Sequence, residues 1–186
     1  MKKIALIIGL EYFGEYKLDG CYNDALNIIS EIKNLYQFNN NEIIFISDKH
    51  NSNHGSRSQI VNSLNYVVKE DFDFIFFYYA GHGGYTKDYS GDETNLHSTF
   101  IMNNNSCADS FFYTIENNNK LGRLYDDTIK EILTNLSSTS TFLGLIDCCH
   151  SGTMFDCDYI YFPNKVRNLK SKKINYLIDN CSDGYT

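Results

Sequence analysis

Long hydrophobic runs are missing from this chain. No stretch approaches the roughly 20 apolar residues that a membrane-spanning helix needs. The apolar segment between Lys3 and Glu11 has seven residues, too few for a secretory signal. We therefore expect no membrane partner, a cytoplasmic location, and reduced thiols at all six cysteines.

Positive charge is scarce as well. The 16 Lys and Arg residues are outnumbered by 23 Asp and Glu residues, which leaves a formal charge of −7. Nucleic-acid-binding domains normally present a basic face, so we expect no nucleic-acid partner. With 42% hydrophobic and 15% aromatic residues, the chain can bury a substantial core. No internal repeat or boundary divides it, and we predict a single domain over residues 1–186.

Apolar, strand-like segments alternate with segments of helical periodicity along most of the chain. Helices are predicted from about Asp19, after a Ser56 cap, and over Asp126–Leu136. The stretch 82–120 is predicted as a polar loop with one short strand, and a basic loop is predicted at about 156–173. The predicted strands are Lys3–Gly9, Glu42–Ser47, Phe72–Ala80, Thr99–Met102, Thr141–Asp147 and Ile174–Asp179.

This alternation predicts an α/β fold, with a mostly parallel sheet covered by helices on both faces. In such sheets the functional crevice lies at the carboxyl ends of the strands. His82, between Gly81 and Gly83, closely follows one predicted strand, and Cys148 and Cys149 follow another. Although the two motifs are far apart in sequence, this topology predicts that they are neighbours.

A cysteine beside a histidine can act as a nucleophile with its own acid and base, because the thiolate is the reactive form. The glycines around His82 allow a sharp turn that exposes the ring. Backbone N–H groups at Gly83 and Cys149 could hold the oxyanion of an acyl-transfer intermediate. Taken alone, a cysteine at a strand end is usually a packing residue, and Gly-His-Gly is usually a turn. Their occurrence at corresponding strand ends favours a catalytic pair.

Two segments, Tyr79–Gly83 and Asp147–Thr153, resemble motifs of the metacaspases, cysteine peptidases of the caspase-like clan. The caspase signature Gln-Ala-Cys-x-Gly is absent. The resemblance implies a caspase-like three-layer sandwich and an endopeptidase that forms a thioester intermediate. It extends, in the family's order, to Ala5–Gly14, Leu18–Ala25, Tyr125–Asp127 and Cys181–Gly184.

The resemblance also implies the catalytic roles. Alignment on the His-Ser-Gly that follows makes Cys149 the nucleophile, whereas Cys148 is a neighbour at a position where the family more often has serine. His82 is then the general acid and base, and it supplies a proton to the leaving amine.

An acidic specificity pocket is implied as well, formed by Asp24 and Asp147 with Cys21 and Ala80 beside them. Two carboxylates favour a cationic side chain, so we expect cleavage of protein or peptide substrates after Arg or Lys. Taken singly, Asp24 is typical of a first helical turn and Asp147 of a polar strand end. Metacaspases commonly place serine at the position of Ala80, so we expect one hydrogen bond to substrate to be missing.

Many metacaspases are activated by calcium, and the resemblance implies a calcium site here. Asp126 and Asp127 match an acidic pair of the family, and Asp156 matches an aspartate seven positions after the nucleophile. Carboxylate oxygens are ligands that calcium prefers. Two alternatives stay open for the fourth ligand: Asp92 supplies it from the loop, or the site is incomplete. Taken alone, the acidic pair is also typical of a helix N-terminus.

The chain ends and the basic loop bear on regulation. The first strand begins at Lys3, so we expect no N-terminal prodomain, and the C-terminus is short relative to the family. An enzyme that cuts after Arg or Lys could process itself within Lys165–Lys173. Metacaspases are typically monomeric, and we expect a monomer.

Two other functions are alternatives to a peptidase. The first is a catalytically weak or inactive caspase-like module that acts by binding. The second, a nucleotide-binding domain, fails because no Gly-x-Gly-x-x-Gly follows the first strand.

Overall fold

A computed structural model describes residues 1–50, 54–87, 108–149 and 154–155 of the chain. The strands in these ranges are β1 (Lys3–Gly9), β2 (Ile43–Ser47), β3 (Phe74–Ala80), β4 (Gly83–Lys87), β5 (Ala108–Glu116), β6 (Lys120–Tyr125) and β7 (Thr141–Asp147). The α-helices are α1 (Cys21–Tyr36), α2 (Arg57–Lys69) and α3 (Asp126–Leu133).

Four strands form a parallel sheet in the order β2-β1-β3-β7. The central strands β1 and β3 are buried at every position after their first residue. Their apolar sequence is continuous because both faces of a parallel sheet are covered. The predicted mostly parallel sheet is confirmed, and β1 and β7 have the bounds that the sequence predicts.

Helices cover both faces of this sheet, which confirms the predicted three-layer α/β architecture. On one face, α1 buries Ala25 and Ile32 against a cluster that includes Ile7 and Tyr78 of the central strands. On the opposite face, α2 and α3 pack into a larger cluster together with residues of β5 and β6. The sheet therefore separates two apolar layers.

The helix α2 begins where the sequence predicts. The Ser56 Oγ accepts a hydrogen bond from the Gln59 N–H at 3.2 Å, which satisfies one of the donors that a helix N-terminus leaves unpaired. The residues predicted for its inward face are all buried: Ile60, Leu64, Val67 and Val68.

The prediction of a polar loop over 82–120 is wrong where the structure describes it. The strands β4 and β5 lie within this stretch and pair with β6 in an antiparallel sheet of order β4-β5-β6. The apolar pattern of β5 is interrupted because Asp109 and Ser110 are buried polar residues, although Phe112 and Ile115 enter the core. Buried polar positions conceal a strand from an argument based on periodicity.

The helix α3 ends at Leu133 rather than at the predicted Leu136. Beyond Leu133 the backbone tightens: the N–H of Asn135 donates to the carbonyl of Ile132 at 3.1 Å, and the N–H of Leu136 to that of Leu133 at 3.0 Å. Leu136 still packs against the core, as predicted.

Several predicted features lie outside the described residues and stay predictions. They are the strands Thr99–Met102 and Ile174–Asp179, the basic loop at about 156–173, and the side chains of Asp92 and Asp156.

Candidate active site

The four parallel strands end in one row. Ser47, Gly9, Ala80 and Asp147 are paired across neighbouring strands at this row. The ladder between β3 and β7 continues for one residue, since the Gly81 N–H donates to the Asp147 carbonyl at 3.4 Å. The chain therefore leaves β3 and β7 side by side at the carboxyl edge of the sheet.

His82 and Cys149 each lie two residues beyond this row, on these adjacent strands. Their two turns are in contact. A Cβ atom added to Gly83 would collide with the Cys149 carbonyl oxygen and would lie 2.7 Å from the Cys148 Sγ. Only glycine permits this approach, so the fold itself brings the two motifs together.

The neighbouring cysteines differ in exposure. Cys148 is 6% exposed and belongs to the larger apolar cluster, whereas Cys149 is exposed. A nucleophile must reach a substrate from solvent, and a buried thiol cannot. The structure therefore favours Cys149 over Cys148 for that role.

The orientation of the His82 ring is set by a backbone carbonyl. Its Nε2 atom lies 2.8 Å from the Tyr16 carbonyl oxygen. Because a carbonyl can only accept a hydrogen bond, Nε2 must carry the proton, and in the neutral ring Nδ1 keeps the lone pair that a base needs. No sequence pattern marks Tyr16 for this role, because any residue type supplies a carbonyl group.

The segment that carries Tyr16 is anchored by two buried carboxylates, Asp48 and Glu11. Asp48 accepts the backbone N–H of Glu11 at 2.8 Å and that of Tyr12 at 2.7 Å. The Glu11 carboxylate contacts Lys49 Nζ at 2.5 Å. Burial acts to raise the pKa of Glu11, but Lys49 and backbone N–H donors outweigh it and lower that pKa. Glu11 therefore stays ionised at neutral pH and keeps its ion pair.

The N–H of Gly83, a predicted oxyanion donor, is oriented by β4. The Tyr113 N–H donates to the His82 carbonyl at 3.0 Å, which marks a hydrogen-bonded position of the β4–β5 pair. Gly83 is opposite Phe112, one position further along. Since hydrogen-bonded and non-bonded positions alternate in antiparallel pairs, the Gly83 N–H points away from β5.

The residues predicted to bind substrate surround one face of the sheet, the face covered by α1. Ala80 and Asp147 are cross-strand neighbours, and Tyr78 shares their face. The Tyr78 hydroxyl donates to the Asp147 Oδ2 at 3.3 Å. Cys21 and Asp24 lie in the first turn of α1, and both Asp24 and Asp147 are exposed.

The negative charges of Asp24 and Asp147 both act on Cys21 and on Tyr78. Burial, with the added negative charges of Asp24, Asp147 and Glu11, raises the pKa of Cys21 to about 11. Burial and the same two aspartates also raise the pKa of Tyr78. Cys21 is therefore protonated at neutral pH and is no second nucleophile. A cation bound beside these residues would be attracted by two carboxylates at once.

Comparison with known families adds to this geometry. The family described as metacaspase, peptidase C14 domain, matches residues 2–158. The chain belongs to the metacaspase family. The resemblance inferred from the sequence motifs is confirmed.

Relatives of known name agree. This metacaspase is 31% identical to Metacaspase-1 of Saccharomyces cerevisiae over 166 residues, which cover 86% of this chain and 36% of the yeast protein. It is also 31% identical to Metacaspase-1 of Candida glabrata over 189 residues, covering 98% of this chain and 44% of the relative. The chain thus spans less than half the length of these two curated relatives.

The fold has a counterpart among solved structures. A crystal structure of a Geobacter sulfurreducens protein superimposes with a TM-score of 0.58 at 22% identity and covers 82% of this chain and 52% of that one. At this identity the likeness supports the fold alone. Within the described part of the metacaspase, no helix is long and apolar enough to cross a membrane.

Of the predicted calcium ligands, the structure describes Asp126 and Asp127. Asp126 is 1% exposed, and it accepts the Ser110 N–H at 2.7 Å and the Asp127 N–H at 3.0 Å. This carboxylate therefore ties β5 to the start of α3. Asp127 is half-buried in the same helical turn.

The donor chemistry of this region fits calcium, but the described residues supply no complete site. Asp109 is a further buried carboxylate, 8% exposed, and it precedes Ser110, whose backbone N–H donates to Asp126. Across residues 1–50, 54–87, 108–149 and 154–155, no three His, Cys, Asp or Glu side chains are grouped closely enough to hold a metal ion. A complete site would need a ligand from elsewhere, such as Asp156.

Proposed function

We propose that this chain is a cysteine endopeptidase that cleaves peptide bonds after Arg or Lys, with Cys149 as nucleophile and His82 as general acid and base. One observation carries the proposal. An exposed thiol and an imidazole of fixed tautomer lie two residues beyond one row of strand ends, in turns that touch at Gly83. Membership of the metacaspase family supports the reaction class.

The Cys149 thiol gives its proton to Nδ1 of His82, and the resulting thiolate attacks the substrate carbonyl carbon, whose carbonyl electron pair moves onto oxygen. The N–H groups of Gly83 and Cys149 stabilise that oxyanion. As the intermediate collapses, the C–N bond breaks, His82 gives its proton to the leaving amine, and a thioester remains. His82 then takes a proton from water, the hydroxide attacks the thioester, and the carboxylic acid product leaves with the thiolate restored.

The preference for an Arg or Lys side chain is assigned to Asp24 and Asp147. Asp147 is the last residue of β7, and the nucleophile Cys149 lies only two residues further along the chain. The same strand end therefore carries the residue that binds the substrate side chain and the residue that attacks the peptide bond. Asp24 reaches the same region from α1, and the charges of both aspartates act on Tyr78. Paired carboxylates attract Arg or Lys and repel Asp or Glu.

Fluorogenic peptides that end in Arg, Lys or Asp before the reporter group test this function. We expect turnover of the Arg and Lys peptides and at least about 100-fold lower kcat/KM for the Asp peptide, equivalent to about 2.7 kcal/mol. Equal turnover of all three peptides would contradict the assigned pocket. A folded chain that binds the Arg peptide but cleaves none would instead support a binding module.

Calcium is proposed as an activator, held by Asp126 and Asp127 with Asp92 and Asp156. A bound calcium ion would supply positive charge that neutralises these carboxylates and links their segments. The chain's own contribution is to preorganise Asp126 through two backbone N–H donors.

Calcium titration by calorimetry tests this proposal without an activity readout. We expect Asp127→Asn to weaken calcium binding at least about tenfold, because one charged ligand is lost. Asp71→Asn, at an exposed position, is the matched control and should bind as the wild type does. Asp126→Ala should also weaken calcium binding. It should lower the free energy of unfolding by about 1–3 kcal/mol as well, because it removes the carboxylate that accepts the buried Ser110 N–H. Wild-type affinity in Asp127→Asn would remove this residue from the site.

Self-processing in the basic loop is proposed from the same specificity. On incubation, the wild type should be cut after one or more of Lys165, Arg167, Lys170, Lys172 and Lys173, and Cys149→Ala should stay intact. Intact-mass and peptide mapping measure the cuts. An uncut wild type with full activity on peptides would rule out processing at this loop.

We also propose that the chain works as an intracellular monomer. Cys21, Cys148 and Cys149 form no disulfide within the part of the chain that the structure describes, which suits a reducing compartment. Light scattering on the purified chain measures its mass, and a stable dimer at micromolar concentration would contradict the monomer.

A further inference from the structure

His82 is held through its main chain as well as through its ring. Its backbone N–H donates to the Tyr12 Oη at 3.0 Å, and its carbonyl accepts from the Tyr79 Oη at 2.8 Å. The two hydroxyls are hydrogen-bonded to each other at 2.8 Å. A closed circuit results: His82 N–H to Tyr12, Tyr12 to Tyr79, and Tyr79 to the His82 carbonyl. We call Tyr12 and Tyr79 with this circuit the tyrosine clamp.

The clamp is dry. Tyr79 is fully buried and Tyr12 is 3% exposed, so water cannot readily replace either hydroxyl. The Tyr113 carbonyl is an alternative acceptor for either hydroxyl proton, at 3.1 Å from Tyr12 and 3.0 Å from Tyr79. Burial raises the pKa of each tyrosine, so both hydroxyls stay protonated over the range in which a peptidase would be assayed. Hydrogen bonds in such a low-dielectric setting are stronger than in water.

Tyr12 reaches this position by an unfavourable backbone conformation. Its φ is 58°, in the left-handed region that non-glycine residues rarely adopt. The buried Asp48 holds it there by accepting the Tyr12 N–H. From this position the Tyr12 ring also packs against the His82 imidazole, with centroids 4.8 Å apart. Strain that the surroundings maintain is commonly found at functional sites.

Gly81 completes the arrangement. A Cβ atom at Gly81 would lie 2.7 Å from both the Tyr12 and the Tyr79 hydroxyl oxygens. The glycine that precedes the histidine therefore leaves room for the clamp, in addition to allowing the turn.

From these contacts we infer that Tyr12 is a positioning residue for proton transfer: its hydroxyl, linked to that of Tyr79, fixes the His82 main chain so that the imidazole stays in place for Cys149. The inference rests on the proposed function for the roles of His82 and Cys149. Tyr12 itself touches neither the thiol nor the substrate in this scheme and acts only through His82.

The test measures the rate at which iodoacetamide alkylates Cys149 as a function of pH, by mass analysis of the peptide that carries it. The thiolate is the form that reacts, and a well-placed His82 stabilises it, so the wild type should be alkylated with a lower midpoint than His82→Ala. In Tyr12→Phe the midpoint should rise by at least about one pH unit. With an Arg peptide, kcat should fall roughly 10- to 100-fold while KM changes less than about twofold.

The control variants separate positioning from packing. Tyr79→Phe should have a smaller effect in the same direction, since Tyr12 can still donate to the Tyr113 carbonyl and the Tyr113 N–H still reaches the His82 carbonyl. If the clamp acts as a unit, the double variant should be no worse than Tyr12→Phe alone. Tyr66→Phe, at a half-exposed tyrosine on α2, should match the wild type.

A folded Tyr12→Phe variant with the wild-type alkylation midpoint and kcat would overturn the inference. If Tyr12→Phe does not fold, Tyr79→Phe decides: a raised midpoint with kcat lowered at least about threefold supports the clamp, and wild-type values overturn it. A wild type with the same alkylation midpoint as His82→Ala would instead refute the His82–Cys149 pairing of the proposed function, and the inference with it. If the wild-type midpoint lies below that of His82→Ala but no peptide is cleaved, the comparison of the wild-type and Tyr12→Phe midpoints decides.

Discussion

Cys149→Ala is expected to lower kcat/KM for an Arg peptide by at least about 10³-fold, because the reaction loses the atom that forms the thioester. Cys148→Ala should keep kcat/KM within about threefold of the wild type, since its thiol is a buried packing group. Initial rates with a fluorogenic Arg peptide measure both variants, at matched concentrations of folded enzyme.

The two variants are matched controls for each other, because they make the same chemical change at adjacent positions. Cys148→Ala removes a buried sulfur beside Gly83, so its unfolding midpoint should fall while its activity at low temperature persists. Cys149→Ala removes an exposed sulfur, so its stability should not change. A fully active Cys149→Ala, or an inactive but folded Cys148→Ala, would mean that the nucleophile is assigned to the wrong cysteine.

Asp147→Asn and Asp24→Asn are expected to reduce kcat/KM for Arg and Lys peptides by roughly 30- to 1,000-fold, or about 2 to 4 kcal/mol. Each change keeps the size of the side chain but removes one of the charges that would pair with the substrate cation. The loss should be larger for Asp147→Asn with the Arg peptide, since this residue directly precedes the segment that bears the nucleophile.

Two controls sharpen this prediction. Tyr78→Phe removes the hydroxyl that donates to Asp147 at 3.3 Å but keeps both carboxylates, so a much smaller effect on Arg and Lys peptides is expected. Asp71→Asn changes the net charge equally at an exposed position away from the pocket and should leave kcat/KM unchanged. If both pocket variants cleave Arg peptides at the wild-type rate, the basic specificity has another source.

The central sheet could be predicted because its strands carry continuous apolar sequence, and β1 and β7 were bounded correctly. The neighbourhood of His82 and Cys149 could also be predicted, since parallel strands bring their carboxyl ends to one edge. The antiparallel sheet could not, because Asp109 and Ser110 are buried polar residues in β5.

The residues that hold His82 in place, Tyr16 and Tyr12, could not be predicted from the sequence for a different reason. The Tyr16 contact uses a backbone carbonyl, which no sequence pattern marks. Tyr12 lies in a loop, and its role depends on a left-handed backbone conformation that the residue type disfavours. One feature of the sequence does bear on the placement of Tyr79. Successive side chains of a strand point to opposite faces of the sheet, so only one of Tyr78 and Tyr79 can face α1, and the other lies in the opposite layer.

Covalent labelling tests the central claim most directly, because it depends on the nucleophile, on its activation and on the basic pocket at once. The wild type is treated with an Arg chloromethyl ketone, and the adduct is located by peptide mapping. We predict a single adduct on Cys149, its loss in His82→Ala, and no labelling by the corresponding Asp reagent. An adduct on Cys148, or equal labelling by the Arg and Asp reagents, would contradict the account.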